Sequence, residues 1–393
     1  MDIHIPPYPL YNRTYLLYRV SPLHHGDGPL LHDGSLQTHA KRLREQLKGD
    51  SVRGVEVDFA GTQDALPKLG PLEACAWDLI GDEDAWIDRH RQLVDPEASQ
   101  LSAVMTAEQA RGVEVTLEYE RQSYSALLLR DPAVPAAPEG FTRLPLLLVK
   151  MAAPIRDIFL NYLRTSFDAL VVPLRLPSAF LTSGLETYFG HLTAGSSTQS
   201  IQDVIRQLQV QLSFPNATSL LRHVDVTIAG RDVPGFVKRG KLLKNTQEPF
   251  TAALALYLQR HLALDMSQPK VHISKISCAA FNLSSDRLKL VAPDTSYDNS
   301  MDDSITPEAS AGQQAVHDFY TSLVREATGT AKFLPAELAG PTRSSTPSST
   351  TSSSRRGRKR AVSNTAASNN GATKRSKARG KENGRRDEDM ADV

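Results

Sequence analysis

The stretch SPLHHGDGPLLHD, Ser21–Asp33, crowds His24, His25, Asp27, His32 and Asp33 into one short segment. These are the residue types that ligate metals or move protons. A metal-dependent hydrolase built on His24, His25 and Asp27 is the chemistry they would serve. The spacing does not favour it. Adjacent side chains of an extended segment point to opposite sides, so His24 and His25 rarely serve one ion. Catalytic zinc needs three protein ligands on rigid supports, and HExxH is absent. Pro22, Gly26, Gly28 and Pro29 break regular structure. The reading is a solvated loop, with the metal site as its rival. Metal analysis of the purified protein separates the two.

Other suggestive residues resolve in a similar way. GDEDAWIDRH, Gly81–His90, sets carboxylates beside a histidine. The spacing predicts a polar turn into a helix, with Asp82 or Asp84 as its cap and acidic residues in the first turn. Ser183 in LTSGLE does not fit G-x-S-x-G. Neither GxxxxGK[ST] nor GxGxxG occurs, so no phosphate loop is expected.

Several elements frame these residues. RTYLLYRV (Arg13–Val20) reads as a strand. Ser35 reads as the N-cap of a helix carrying Leu36, Ala40, Leu43 and Leu47 on one face, with Gly49 after its end. GVEVDFA and EACAWDLI read as two more strands. In GVEVTLEYERQSYSALLLRD, Val113, Val115, Leu117 and Tyr119 alternate with Glu114, Thr116, Glu118 and Glu120, and the chain turns at Arg121–Ser123 into a hairpin. Pro154 suits the first turn of a helix striped by Ile155, Ile158, Phe159, Tyr162, Leu163 and Phe167. ALVVPLRL is strand-like and PSAFLTSGLETYF helical. QVQLSFP and RHVDVTIAG form an antiparallel pair. Leu254, Tyr257, Leu258, His261 and Leu262 follow Pro249 at helical spacing. VHISKISCAAF and RLKLVA are strands, a polar stretch spans Pro293–Ser304, and a last helix carries Val316, Phe319, Tyr320 and Leu323. The whole predicts an α+β protein of antiparallel sheets with packed amphipathic helices. The Pro/Ala stretch Asp131–Gly140 is the expected linker. It separates an N-terminal domain, residues 1–130, from a C-terminal domain, residues 141–335, with a tail over 336–393.

Composition bounds the rest. Of 393 residues, 40% are hydrophobic and 23% charged, as in ordinary globular proteins. Cys75 and Cys278 lie far apart without a CxxC, which points away from a disulfide framework and toward a reducing compartment. The segment MDIHIPPYPL lacks the basic and apolar regions of a signal peptide. No apolar run approaches the roughly 18 residues of a membrane span. The N-x-S/T triplets at Asn12, Asn216 and Asn282 are expected to be coincidental. The net charge of +1 conceals an asymmetry: Pro341–Val393 carries 13 basic and 5 acidic residues, a net of +8, against −7 before it. Pro341–Ser354 holds 11 Ser/Thr, and no aromatic residue follows Phe333. Such a tail cannot bury enough apolar surface to offset its ordering entropy, so disorder is expected. Its two basic clusters are Arg355, Arg356, Arg358, Lys359 and Arg360, then Lys374, Arg375, Lys377, Arg379 and Lys381. They suit nuclear import or contact with DNA phosphates. Thr346–Pro347 resembles a proline-directed phosphorylation site, and Lys381–Asn383 a KEN degradation signal. Within the body, RDVPGFVKRGKLLK presents Lys238, Arg239, Lys241 and Lys244 to phosphate, an acidic partner or solvent.

Whole segments also carry a resemblance. YNRTYLLYRVSPLHHGDGPLL, GVEVTLEYERQSYSALLLRD, LPLLLVKMAAPIRDIFLNYLRTSFDALVVPLRLPSAFL, VQLSFP, HVDVTIAGRDVPGF and PFTAALALYLQRHLALD resemble the fungal centromere protein L family. The resemblance implies a non-enzymatic subunit of the inner kinetochore, in the nucleus, without cofactors and without membrane contact. It implies heterodimerisation through the C-terminal region with a centromere protein N-like subunit. It further implies association with other inner-kinetochore subunits and, through the complex, with centromeric nucleosomes or DNA. VHISKISCAAF and RLKLVA are the candidate pairing strands, with Val271, Ile273, Ile276, Leu288 and Leu290 as candidate partner-binding residues. Val271 and Ile273 share a parity that Ile276 breaks, which signals a bulge or burial on both faces. A stand-alone nucleic-acid-binding protein is the third reading, separated by a binding assay without any partner.

Overall fold

Thr14–Val20 (β1), Ser123–Leu129 (β5) and Leu146–Lys150 (β7) are near-continuous apolar strands, and their pairing explains why. β7 lies between β1 and β5, with Leu17 opposite Leu148 and Leu127 opposite Leu148 across the two ladders. Leu127, Leu129, Leu146 and Leu148 face one core, and Ala126, Leu128, Leu147 and Val149 face another. A strand covered on both faces cannot alternate apolar with polar residues.

The computed structural model describes residues 6–48, 69–94, 105–134, 137–194, 205–214, 221–243, 246–292 and 311–329. The chain divides into two units, Met1–Gly340 and Pro341–Val393. The fold described is that of the first unit. The remaining strands are Leu23–His24 (β2), Leu72–Ile80 (β3), Gly112–Tyr119 (β4), Phe141–Thr142 (β6), Val171–Pro173 (β8), Gln207–Ser213 (β9) and His223–Ala229 (β10), followed by His272–Ser277 (β11), Phe281–Ser284 (β12) and Arg287–Leu290 (β13). Eleven strands form one sheet in the order β10-β9-β11-β12-β13-β1-β7-β5-β4-β3, with β8 beside β1. Each of its pairings is antiparallel. β2 and β6 form a separate ribbon.

Seven helices are described: Asp33–Lys48 (α1), Glu83–Val94 (α2), Ala153–Phe167 (α3), Ser178–Ala194 (α4), Val233–Lys241 (α5), Pro249–Leu262 (α6) and Ala311–Thr328 (α7). α1 and α3 bury Leu36, Leu43, Phe159 and Leu163 against one face of the sheet. α4, α5, α6 and α7 bury Phe180, Leu185, Phe236, Leu258 and Leu323 against the other. Full burial of such side chains favours folding by about 1.5–3 kcal/mol each. Gly240 lets α5 and α6 meet, because a Cβ there would lie 1.8 Å from the Pro249 carbonyl oxygen.

Four expectations change in detail. α1 begins at Asp33 rather than after Ser35, whose hydroxyl donates instead to the Pro29 carbonyl at 2.8 Å. Glu114 is buried, because Arg13 Nη1 reaches its Oε1 at 3.2 Å across the sheet. Burial pushes the Glu114 carboxyl up, and Arg13 opposes that shift. VHISKISCAAF splits into β11 and β12. The Pro/Ala stretch Asp131–Gly140 does not divide the sheet: β5 before it pairs with β7 after it, and β1 pairs with β13. It is a long connection within one sheet, so the two expected domains share one fold. The strand expected at GVEVDFA, the stretch Pro293–Ser304 and the tail lie outside the described residues.

Beside α1, an aromatic cluster joins His39, Trp77, Tyr162 and Phe167, with His39 and Phe167 ring centroids 4.5 Å apart. The Tyr162 hydroxyl is 2.8 Å from His39 Nδ1. Burial, with the Arg42 charge nearby, holds the imidazole below its usual range.

Candidate partner-binding edge

In the histidine-rich stretch His24, His25, His32 and Asp33 each have a structural place. His24 belongs to β2, and its ring packs at a tilt of 52° against Phe141 of β6 with centroids 5.0 Å apart. His25 Nε2 lies 3.0 Å from Thr142 Oγ1, and its backbone N–H donates to the Gly140 carbonyl. His32 Nδ1 accepts from the Gly34 N–H at 3.2 Å, and Asp33 opens α1. The loop thus ties the start of α1 to the 131–145 connection. Among the described residues no three His, Cys, Asp or Glu side chains gather as a metal set.

Asp82 caps α2 by accepting from the Ala85 N–H at 2.9 Å, as expected. Glu83 accepts from the Tyr11 hydroxyl, and His90 Nδ1 donates to the Trp86 carbonyl, so neither faces the other across a cleft. Ser183 sits within α4. Burial pushes the thiols of Cys75 and Cys278 up to about 11, so both are protonated at neutral pH. No described helix is long and apolar enough to cross a membrane.

The candidate pairing strands lie elsewhere than expected. β11 runs between β9 and β12, and β13 between β12 and β1, so each has both edges occupied. Ile273, Ile276, Leu288 and Leu290 are buried in the core, and Val271 packs against it. The broken parity is a bulge. Ile273 pairs with Leu212 and Lys275 with Gln211, leaving Ser274 as the extra residue. Ile273 and Ile276 therefore face the same core. A strand-pairing role at these residues is closed by their own neighbours.

The sheet has two end strands, β3, which pairs with β4 alone, and the candidate edge β10. β10 pairs with β9 alone, and among the described residues no strand pairs with its outer side. Two bonds bracket the ladder, Phe214 N–H to the Arg222 carbonyl and Gly230 N–H to the Arg206 carbonyl. In an antiparallel pair, hydrogen-bonded and non-bonded positions alternate. Val224, Val226 and Ile228 therefore turn their N–H and C=O groups toward β9. His223, Asp225 and Thr227 turn theirs outward. The side chains alternate too: Val224, Val226 and Ile228 pack on the core, and His223, Asp225 and Thr227 are exposed. Natural sheets commonly guard such edges with lysine, proline or a bulge. β10 carries no lysine, proline or bulge, and Asp225 is its one acidic side chain.

A short 3-10 turn, Gly230–Asp232, leads from β10 into α5. The α5–α6 pair leaves Leu242 83% exposed, with Leu256, Tyr257 and Leu262 also open. On α5, Lys238, Arg239 and Lys241 are exposed, with Arg239 over the Phe236 ring at 5.8 Å. Lys244, both basic clusters of the tail, Thr346 and the KEN triplet lie outside the described residues. Sequence reasoning missed the β10 edge, although RHVDVTIAG carries a local signal in its polar alternate positions.

A family model described as centromere protein L matches residues 9–328. The chain belongs to the centromere protein L family. That family is structural and non-enzymatic, and its members act at the kinetochore of the centromere in chromosome segregation. The matched span runs from the segment before β1 to the last residue of α7, so it includes β10 and the bulged β11. No curated protein matches the chain.

Proposed function

We propose that this chain is a nuclear, structural subunit of the inner kinetochore that pairs with a centromere protein N-like subunit through the outer edge of β10. The pair then links centromeric nucleosomes to the other subunits. Family membership supports the kinetochore role. The observation that carries the pairing surface is the outward-facing backbone of His223, Asp225 and Thr227 on an end strand of the sheet. A strand added to an open edge gains main-chain hydrogen bonds, and pockets for its alternate side chains give it selectivity. The basic clusters of the tail beyond Pro341 are proposed to serve import and to meet DNA phosphates.

Purification of the chain from nuclei, with identification of what accompanies it, tests the reading. A stoichiometric centromere protein N-like subunit is the expected result. Recovery of the chain alone, or with unrelated proteins only, refutes it.

A further inference from the structure

A cavity of about 380 Å³ opens between the His25–Leu31 loop, the 131–145 connection and the last two turns of α7. Leu30, Leu31 and Val324 form its apolar wall, and all three are buried. At the rim Val134 is 38% exposed and Phe141 42% exposed. His25 lines it as well, with Nδ1 buried and unpartnered among the described residues while Nε2 faces Thr142. The site is mostly apolar, with a hydrogen-bonding group positioned inside, which is the usual make-up of a binding cavity.

The end of α7 sits at this cavity. Thr328, its last residue, is part of the lining. Arg19 Nη2 donates to the Glu326 carbonyl at 2.8 Å and so pins the helix terminus to β1, a favourable place for a cation. Gly329 then adopts φ +75, the left-handed conformation that turns a chain out of a helix. The chain therefore leaves α7 at the cavity from a fixed point.

The sequence that follows is TAKFLPAEL, Thr330–Leu338. It holds Phe333, Leu334 and Leu338, the last large apolar cluster before the Ser/Thr-rich tail. Phe333 lies four residues beyond Gly329, within about 14 Å of extended chain. Both signs of charge are present on each side: Asp27, Glu108, Asp131 and Glu139 line the cavity with Arg130 and Arg143, and the segment offers Lys332 and Glu337. We propose that Thr330–Leu338 of this same chain docks in the cavity, with Phe333 as its anchor between Phe141, Val134 and Leu31.

Two measurements on the full chain test this. In the double variant Val134→Cys/Phe333→Cys, mild oxidation should give an intramolecular disulfide at least tenfold faster than in Val134→Cys/Ser344→Cys. Simple tethering would not produce that difference, because effective concentration changes only slowly with linker length. Equal rates overturn the proposal. So does a disulfide-linked dimer, which would mean that a second copy supplies the segment. By hydrogen exchange, Phe333→Asp should speed the amides of Glu139–Thr142 about tenfold, and Phe333→Leu should leave them protected. Unchanged protection in Phe333→Asp overturns it too, since the cavity is then closed by something else or left open.

Discussion

Proline at the outward positions of β10 gives the sharpest test of the pairing edge. Asp225 and Thr227 have N–H groups that point away from β9, so Asp225→Pro/Thr227→Pro removes two outward donors and no bond of the existing ladder. Proline is tolerated on edge strands when its missing donor faces solvent. The free chain should therefore lose less than about 1 kcal/mol. In the complex each lost hydrogen bond is worth about 0.5–1.5 kcal/mol, or about 1–3 kcal/mol for the pair. At about 1.4 kcal/mol per tenfold, the partner should bind roughly 5- to 150-fold more weakly. The comparison is Val226→Pro, whose N–H faces Val210 in the ladder. It should cost folding stability by about 1–3 kcal/mol, because a buried carbonyl loses its donor. Calorimetric titration with a purified centromere protein N-like subunit gives the Kd, and thermal unfolding of the free chain gives the stability. A folded double variant whose Kd stays within twofold of the parent refutes the edge.

Leu288 is 1% exposed between β12 and β1, so Leu288→Ala should lower folding stability by about 2–5 kcal/mol in denaturant titration; a stable variant that has merely lost its partner would restore the residue to an interface. His39 is held below its usual range by burial with Arg42 nearby, and Tyr162 and His25 also face it, so its neutral form favours the fold. That contribution is present above about pH 6.5 and is lost as pH falls toward the lowered folded value. Wild-type Tm should drop further than that of His39→Phe between pH 7.5 and 5.5, and parallel drops would refute the assignment. A chain ending at Gly340 should bind DNA more weakly at low salt, and its plot of log K against log salt should flatten by about 0.9 for each phosphate that the tail neutralises; equal slopes remove the tail from DNA binding. Neutralising Arg355, Arg356, Arg358, Lys359 and Arg360 with the second cluster should leave the protein cytoplasmic by microscopy, and continued nuclear accumulation of the partner-free protein would refute import by the tail.

Much of the fold was legible locally. The α3 stripe, the β4–β5 hairpin and the β9–β10 pair each follow from apolar spacing over fewer than about 20 residues, which reports the buried face directly. The breakers Pro22, Gly26, Gly28 and Pro29 identified the histidine-rich stretch as a loop for the same local reason. Only the tertiary structure decided which strands are edges. β11 and β13 read as well as β10 does, yet their neighbours come from β9, β12 and β1, and a pairing partner far along the chain leaves no local mark. The Pro/Ala stretch resembles a domain linker because its composition suits any long connection, and only the β5–β7 ladder shows that it spans one sheet. The broken parity at Ile276 was visible, but the register against Gln211 and Leu212 was needed to make it a bulge that keeps both isoleucines in one core. What His25 faces was likewise settled by Thr142, a residue more than a hundred positions away, because hydrogen bonds depend on distance in space and carry no period in sequence.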